Sequence, residues 1–146
     1  MEINYIVFLA IIYFNIFVIS KIFNITLKVE GIGNHRILYS GNIKYCPFDD
    51  FHPPNEIIIN GISQDNINYI YYFNETENIV KIKYYSQEDV NNIAINKCFF
   101  YRCSEVTEID LTEFDTSQFV DMFAMFSECF LLKSLKLSNF NTSSVI

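Results

Sequence analysis

Two stretches of this 146-residue chain repeat one another: CSEVTEIDLTEFDTSQFV from Cys103 and CFLLKSLKLSNFNTSSVI from Cys129. The offset of 26 carries Leu111 onto Leu137, Phe114 onto Phe140, Thr116 onto Thr142 and Ser117 onto Ser143. Val106, Ile109 and Leu111, then Leu132, Leu135 and Leu137, spell an L-x-x-L-x-L core at a period typical of leucine-rich solenoids. One such unit is a short strand, a turn and a return, and it cannot bury its apolar face alone, so neighbours must stack. The return residues Phe119, Met122, Met125, Phe126 and Cys129 have spacings that suit one face of a helical or 3₁₀ segment. Thr116-Ser117 and Thr142-Ser143 are expected at stacked turns, their hydroxyls meeting backbone groups.

A degenerate earlier copy is legible upstream. Ile79, Ile82 and Tyr84 match Val106, Ile109 and Leu111, while Ile93 and Phe100 match Phe119 and Phe126. The pattern predicts a degenerate first coil, one full coil and a third truncated at Ile146. An open carboxyl end of that kind exposes a strand edge and apolar residues, so self-association is expected there.

The segment FFYRCSEVTEIDLTEFDTSQFVDMFAMFSECFLLKSLKLSNFNTSSV resembles the BspA-type leucine-rich repeat surface proteins. Leu137 to Ser143 supplies the family's LSNFNTS. Met122, Met125, Phe126 and Cys129 sit at its Met, Met, Phe and Cys positions. Phe119 replaces the usual Val, Glu113 the usual Asn, and Phe99 the Met of the first M-F pair. The resemblance covers about Asn91 to Ile146. It implies a microbial surface-exposed or secreted solenoid used in adhesion or partner binding, and it carries over no catalytic residue.

Upstream the chain changes character. Tyr5 to Ile19 is an apolar run broken only by Asn15. It is short for a membrane span of about 20 residues and suits a signal-peptide core, with Val18-Ile19-Ser20 before a cut. The acidic Glu2 and the lack of a basic n-region leave an uncleaved anchor as the alternative. Ile25 to Val29 alternates with period two, Arg36 to Tyr39 is a second strand candidate, and Cys46 through Pro54 reads as loop. Ile57 to Ile59 meets Asn60-Gly61, a hairpin turn, and Asn68 to Phe73 is another strand. The organisation is therefore 1–20 signal peptide or anchor, 21–77 small β cap, and 78–146 repeats. The fold class is α+β, mostly β: an amino-terminal β cap followed by a short leucine-rich solenoid of parallel strands with short helical returns.

Net charge −7 and a pI near 4.7 exclude a nucleic-acid backbone as partner. Cys46, Cys98, Cys103 and Cys129 in an exported chain invite a disulfide reading. Cys103 and Cys129 hold equivalent repeat positions, where buried reduced thiols pack well. Cys98 and Cys103 are close enough in sequence to link. Cys98-x₄-Cys103 is one pair without nearby histidine, since His35 and His52 are distant, so no metal site is expected. Cys46 and His52 flank a Pro-rich loop and form no nucleophile turn. Gly31-Ile32-Gly33 lacks a phosphate loop's third glycine, and Asp49-Asp50 has no partner carboxylate. Catalytic residues and cofactors are thus expected to be absent.

The outward strand positions carry the functional expectation. Aligned by repeat, Lys83, Asp110 and Lys136 form one row and Lys81, Glu108 and Ser134 the next. With Lys133 these charges form a candidate binding face for a protein or glycan, and opposite charges on neighbouring strands also set register. Of three N-x-[ST] sequons, Asn74 in a polar turn is the best acceptor and Asn24 the second, while Asn141 lies in the stacked turn. The expected function is a non-enzymatic extracellular or cell-surface binding and adhesion module, with membrane contact only through Tyr5 to Ile19 if uncleaved. Alternatives are the targeting arm of a larger secreted hydrolase or the ectodomain of an anchored receptor.

Overall fold

The computed structural model of the protein describes residues 21–39, 53–86, 88–90 and 97–146. The apolar run Tyr5 to Ile19, Ile93 and the residues Cys46 to His52 lie outside the described residues.

Alternation builds the framework. In β1 (Phe23–Glu30) the side chains of Phe23, Ile25, Leu27 and Val29 are buried, and those between them face outward. In β6 (Glu77–Tyr84) the buried set is Asn78, Val80, Ile82 and Tyr84. Between them in sequence come β2 (Gly33–Arg36), β3 (Glu56–Ile59), β4 (Ile62–Ser63) and β5 (Ile70–Phe73); β7 (Val106–Asp110) and β8 (Ser134–Lys136) follow. Asn60 and Gly61 both have positive φ, 50° and 85°, and close the β3–β4 hairpin as Asn-Gly turns do. Asn60 also locks the hairpin to β6: its amide donates to Asn78 Oδ1 and its Oδ1 accepts from the Ile79 N–H, both at 2.9 Å.

The strands form a six-stranded sheet in the order β4-β3-β6-β1-β7-β8 and a two-stranded sheet, β2-β5. All pairings are antiparallel except β7 with β8. One core lies on the inner face of the large sheet. Phe73, Phe99, Phe100, Phe114 and Phe119 cover Ile25, Leu27, Val80, Ile82 and Ile109. Phe99 meets Phe100 edge-on at 4.8 Å, and Phe114 packs near Tyr84 and Phe119 at 5.9 and 6.0 Å. Such aromatic contacts add to what area burial alone supplies. Burial also pushes the Tyr84 phenol well above its ordinary pKa.

This architecture corrects the expected one. The sheets are mixed and antiparallel, and among the described residues almost none is helical and no leucine-rich solenoid is formed. The segment read as a degenerate first coil, β6, does not stack parallel on β7. Instead β1 lies between them, antiparallel to both, with Leu27 opposite Val80 on one side and Ile109 on the other. The sheet therefore runs without a break from the amino-terminal strands into the repeats. Ile37, Leu38 and Tyr39, expected in a strand, are buried residues beyond the end of β2.

The returns are successive turns rather than helices. Met125 N–H donates to Met122 O, Ser127 to Ala124, Cys129 to Phe126 and Leu132 to Cys129. Residues three apart thus meet, which is why the apolar spacing imitates a helical face. Left-handed backbone recurs with the repeat: Cys98 (φ 64°) and Ala124 (52°) are 26 apart, as are Arg102 (61°) and Glu128 (60°).

The two copies do contact each other in register. Glu108, Ile109 and Asp110 lie opposite Ser134, Leu135 and Lys136. Leu111 N–H donates to Lys136 O at 3.0 Å, and Lys133 N–H to Thr107 O at 2.9 Å. The fully buried Thr116 hydroxyl grips the second turn. It accepts from the Asn141 N–H at 2.7 Å and donates to the Asn141 carbonyl at 3.2 Å. Asp115 and Asn141 make matching Asx turns to the N–H groups of Ser117 and Ser143.

Candidate binding face

The outer face of the six-stranded sheet is assembled from the residues between the buried ones. On β1 these are Asn24, Thr26, Lys28 and Glu30; on β6, Ile79, Lys81 and Lys83; on β7, Glu108 and Asp110; on β8, Lys136. Because β1 separates β6 from β7, the cross-strand rows differ from those aligned by repeat. One row is Lys81–Thr26–Asp110–Lys136 and the next is Ile79–Lys28–Glu108–Ser134. Lys83 stands opposite Asn24 and Glu56, not beside Asp110.

A ladder of charges crosses three strands. Lys28 Nζ lies 3.0 Å from Glu108 Oε2. Lys136 Nζ lies 2.8 Å from Glu108 Oε1 and 3.2 Å from Asp110 Oδ2. Hydrogen bonds from Lys136 and then Lys28 hold the Glu108 carboxyl below its ordinary pKa. Asp110 is lowered first by bonds from the Thr112 hydroxyl and N–H, and then by Lys136. Lys136 is raised in turn by Glu108 and Asp110. Lys133 pairs with Glu30 at 3.1 Å across the same face.

At the far side Lys83 pairs with Glu56 at 2.9 Å, and Tyr85 and Ser63 hydroxyls bond the same carboxylate. Lys83, Tyr85 and Ser63, in that order, pull Glu56 down to about 2. Lys81 is exposed and has no ion-pair partner among the described residues. It borders a groove of about 390 Å³ lined by Asn24, Thr26, Lys83, Asp110, Thr112 and Glu113. That wall sets the Lys81 ammonium group, unpaired among the described residues, beside hydroxyl, amide and carboxylate groups.

Of the six residues singled out in the sequence, Glu108, Asp110 and Lys136 meet directly. Lys133 lies beside them through Glu30, and Lys81 and Lys83 sit two strands away. Sequence reasoning missed Lys28, Glu30, Glu56 and Thr26. The alternation of Ile25 to Val29 already placed Thr26 and Lys28 together on one face, so the signal for those two was present.

Among the cysteines, Cys98 is disulfide-bonded and Cys103 and Cys129 are free, so Cys98 and Cys103 are not linked. Burial raises both free thiols, Cys103 far more, and Cys129 Sγ donates to Phe100 O at 3.1 Å. Among the described residues no group of three His, Cys, Asp or Glu could hold a metal, and no helix is long and apolar enough to cross a membrane. The chain matches no protein-family profile, no curated protein and no solved structure.

Proposed function

We propose that the protein is an exported, non-enzymatic binding module of the BspA-like surface type, presenting the outer face of its large sheet to an acidic glycan. The observation that carries this reading is Lys81. It is a cation with no ion-pair partner among the described residues, beside a polar groove, on a face where Lys28, Lys83, Lys133 and Lys136 are each paired. A ligand carboxylate supplies the counter-ion that Lys81 lacks among the described residues, and sugar hydroxyls find Asn24, Thr26 and Thr112. The disulfide at Cys98 supports export, since such bonds persist in oxidising compartments. Titrating the chain with a uronate-bearing oligosaccharide tests this. Lys81→Glu is expected to weaken binding about tenfold or more and to abolish its salt dependence. Binding that is unchanged in Lys81→Glu sinks the assignment.

A second reading rests on β8. Among the described residues it has one strand neighbour, and Leu135 and Leu137 are each 37% exposed beside Phe130 at 77%. Edge strands with apolar flanks pair with other chains. We infer self-association of two copies along β8. Light scattering should show a dimer that Leu135→Lys converts to monomer, whereas a monomeric parent protein refutes the pairing.

A further inference from the structure

The three sequons, alike in sequence, differ in what their asparagines are doing. Asn24 lies on the central strand β1, and its amide donates to Glu113 Oε2 at 2.7 Å. A sugar on that nitrogen replaces a bond and enters the groove beside Lys81. Asn141 is engaged three ways: its N–H and carbonyl by Thr116, and its Oδ1 by the Ser143 N–H. Asn74 is exposed, and its side chain makes no hydrogen bond among the described residues.

Asn74 is nonetheless well positioned. It follows Phe73, which is 1% exposed, and begins the turn from β5 into β6. The turn is pinned by its backbone: Gly31 N–H donates to Thr76 O at 2.8 Å, and Asn78 Nδ2 to Glu75 O at 2.9 Å. Tyr72, two residues before Asn74, points outward on β5 and is 68% exposed. Beside it Ile62, on the β3–β4 hairpin, is 70% exposed. Tyr72, Ile62, Asn74, Glu75, Asn60 and Gln64 border one groove of about 380 Å³. An aromatic face and an aliphatic side chain thus flank an unengaged sequon asparagine, with amide and carboxylate groups along the rim.

We propose that Asn74 carries an N-linked glycan whose first N-acetylhexosamine lies across the Tyr72 ring and against Ile62 in this groove. The C–H face of a pyranose is apolar and complements the electron-rich face of a tyrosine ring, while its hydroxyls and acetamide reach the polar rim. The attachment is a displacement on a polyprenyl-pyrophosphate-linked oligosaccharide. The Asn74 amide nitrogen bonds to the anomeric carbon and loses one proton to a base of the transferase. The bond from that carbon to the pyrophosphate oxygen breaks, and polyprenyl pyrophosphate leaves with the electron pair. Thr76 supplies the hydroxyl that the acceptor sequence requires. A bulky hydrophilic group here also covers two of the larger exposed apolar side chains of the amino-terminal region.

The inference shares only export with the reading of the protein as an exported binding module. The test therefore supplies export from outside, by expressing the full chain behind a cleavable leader in a eukaryotic secretory host. Intact mass before and after peptide N-glycosidase is expected to show sugar at position 74, absent from Asn74→Gln and Thr76→Ala. The protons of the first sugar should be shifted upfield by the Tyr72 ring, and removing the glycan should lower the thermal midpoint. Tyr72→Thr should abolish the upfield shift and reduce the midpoint change by about half. Ile62→Thr, at an equally exposed site, should reduce the midpoint change while keeping the upfield shift. A secreted, folded chain without sugar at 74 overturns the site. An upfield shift or midpoint change indifferent to Tyr72→Thr overturns the packing. Oligosaccharide binding by the Asn74→Gln protein is a separate readout, so either idea can fail alone.

Discussion

The two copies of the repeat share a sequence and live in different surroundings. In the first, Ile109, Leu111 and Thr116 are 0% exposed and Phe114 is 1% exposed. In the second, Leu135 and Leu137 are 37% exposed, Phe140 is half-buried and Thr142 is exposed. The first copy has β1 on one side and the second copy on the other, with the aromatic cluster beneath. Among the described residues the second has a neighbour on one side. An apolar pattern states which residues can face a core; neighbouring strands decide whether the core is there.

Replacing the equivalent leucines should break the symmetry most. Leu111→Ala leaves a cavity under β1 and is expected to cost about 2–5 kcal/mol, whereas Leu137→Ala should cost about 1 kcal/mol or less. Urea midpoints of the two variants measure the gap, and equal losses would contradict the different burial of the copies.

The threonines offer a sharper contrast, because their side chains differ by one buried pair of hydrogen bonds. Thr116→Val strands the Asn141 N–H and carbonyl and should cost about 1–3 kcal/mol. Thr142→Val should stay within about 0.5 kcal/mol of the parent. Amide hydrogen exchange at Asn141 should accelerate in the first variant alone.

Charge distinguishes the copies more gently. The first carries Glu108 and Asp110 where the second has Ser134 and Lys136, and Lys136 bonds to both acids. Both carboxyls are held below their ordinary values of 4.5 and 3.8. Their contribution is therefore complete above those values and lost as pH falls through the lowered folded ones. Glu56, lowered to about 2, extends the acid-sensitive window from 4.5 down to that value. Raised in the fold, Lys136 contributes below its ordinary value of 10.5, and loses that contribution as pH rises through the folded value. Stability should fall toward acid with a slope that Glu56→Gln flattens most, and salt should weaken every one of these exposed pairs. An unchanged slope in Glu56→Gln would show that the Lys83 pair does not set it.

The smallest expected effect concerns the left-handed positions. Ala124 holds φ 52° without a side-chain bond, while its counterpart Cys98 is covalently tied. Ala124→Gly should stabilise by about 0.5–1 kcal/mol, as relief of the steric strain exceeds the entropy of a more flexible unfolded chain. A lowered midpoint would mean that this backbone is strain-free.

Local signals were readable in the sequence where the chemistry was local. Asn60-Gly61 marked its hairpin, the alternation in Ile25 to Val29 marked β1, and the 26-residue offset matches the β7–β8 register. The helical returns were misread because a run of three-residue turns spaces Met122, Met125, Phe126 and Cys129 as a helix does. The place of β1 was illegible for a different reason. Its four buried residues suit either neighbour, and Ile79, Ile82 and Tyr84 of β6 imitate a degenerate copy of the repeat. The same error displaced Lys81 and Lys83: the repeat rightly puts Glu108, Asp110 and Lys136 together, whereas Lys83 stands with Glu56 and not beside Asp110.

The central position of β1 also governs when the chain can fold. Its partners are Glu77–Tyr84 and Val106–Asp110, so a strand made early must wait for two that are made late. At about 5–20 residues per second, roughly 4–16 seconds separate the synthesis of Glu30 from that of Asp110. Contact order this high favours slow closure, with the earlier strands open until the last partner arrives. β1 and β6 can pair once Tyr84 is made, but the other side of β1 stays open until Asp110 has been made. Until then the sheet ends at β1, so the strand that the finished fold places near its centre is first an edge.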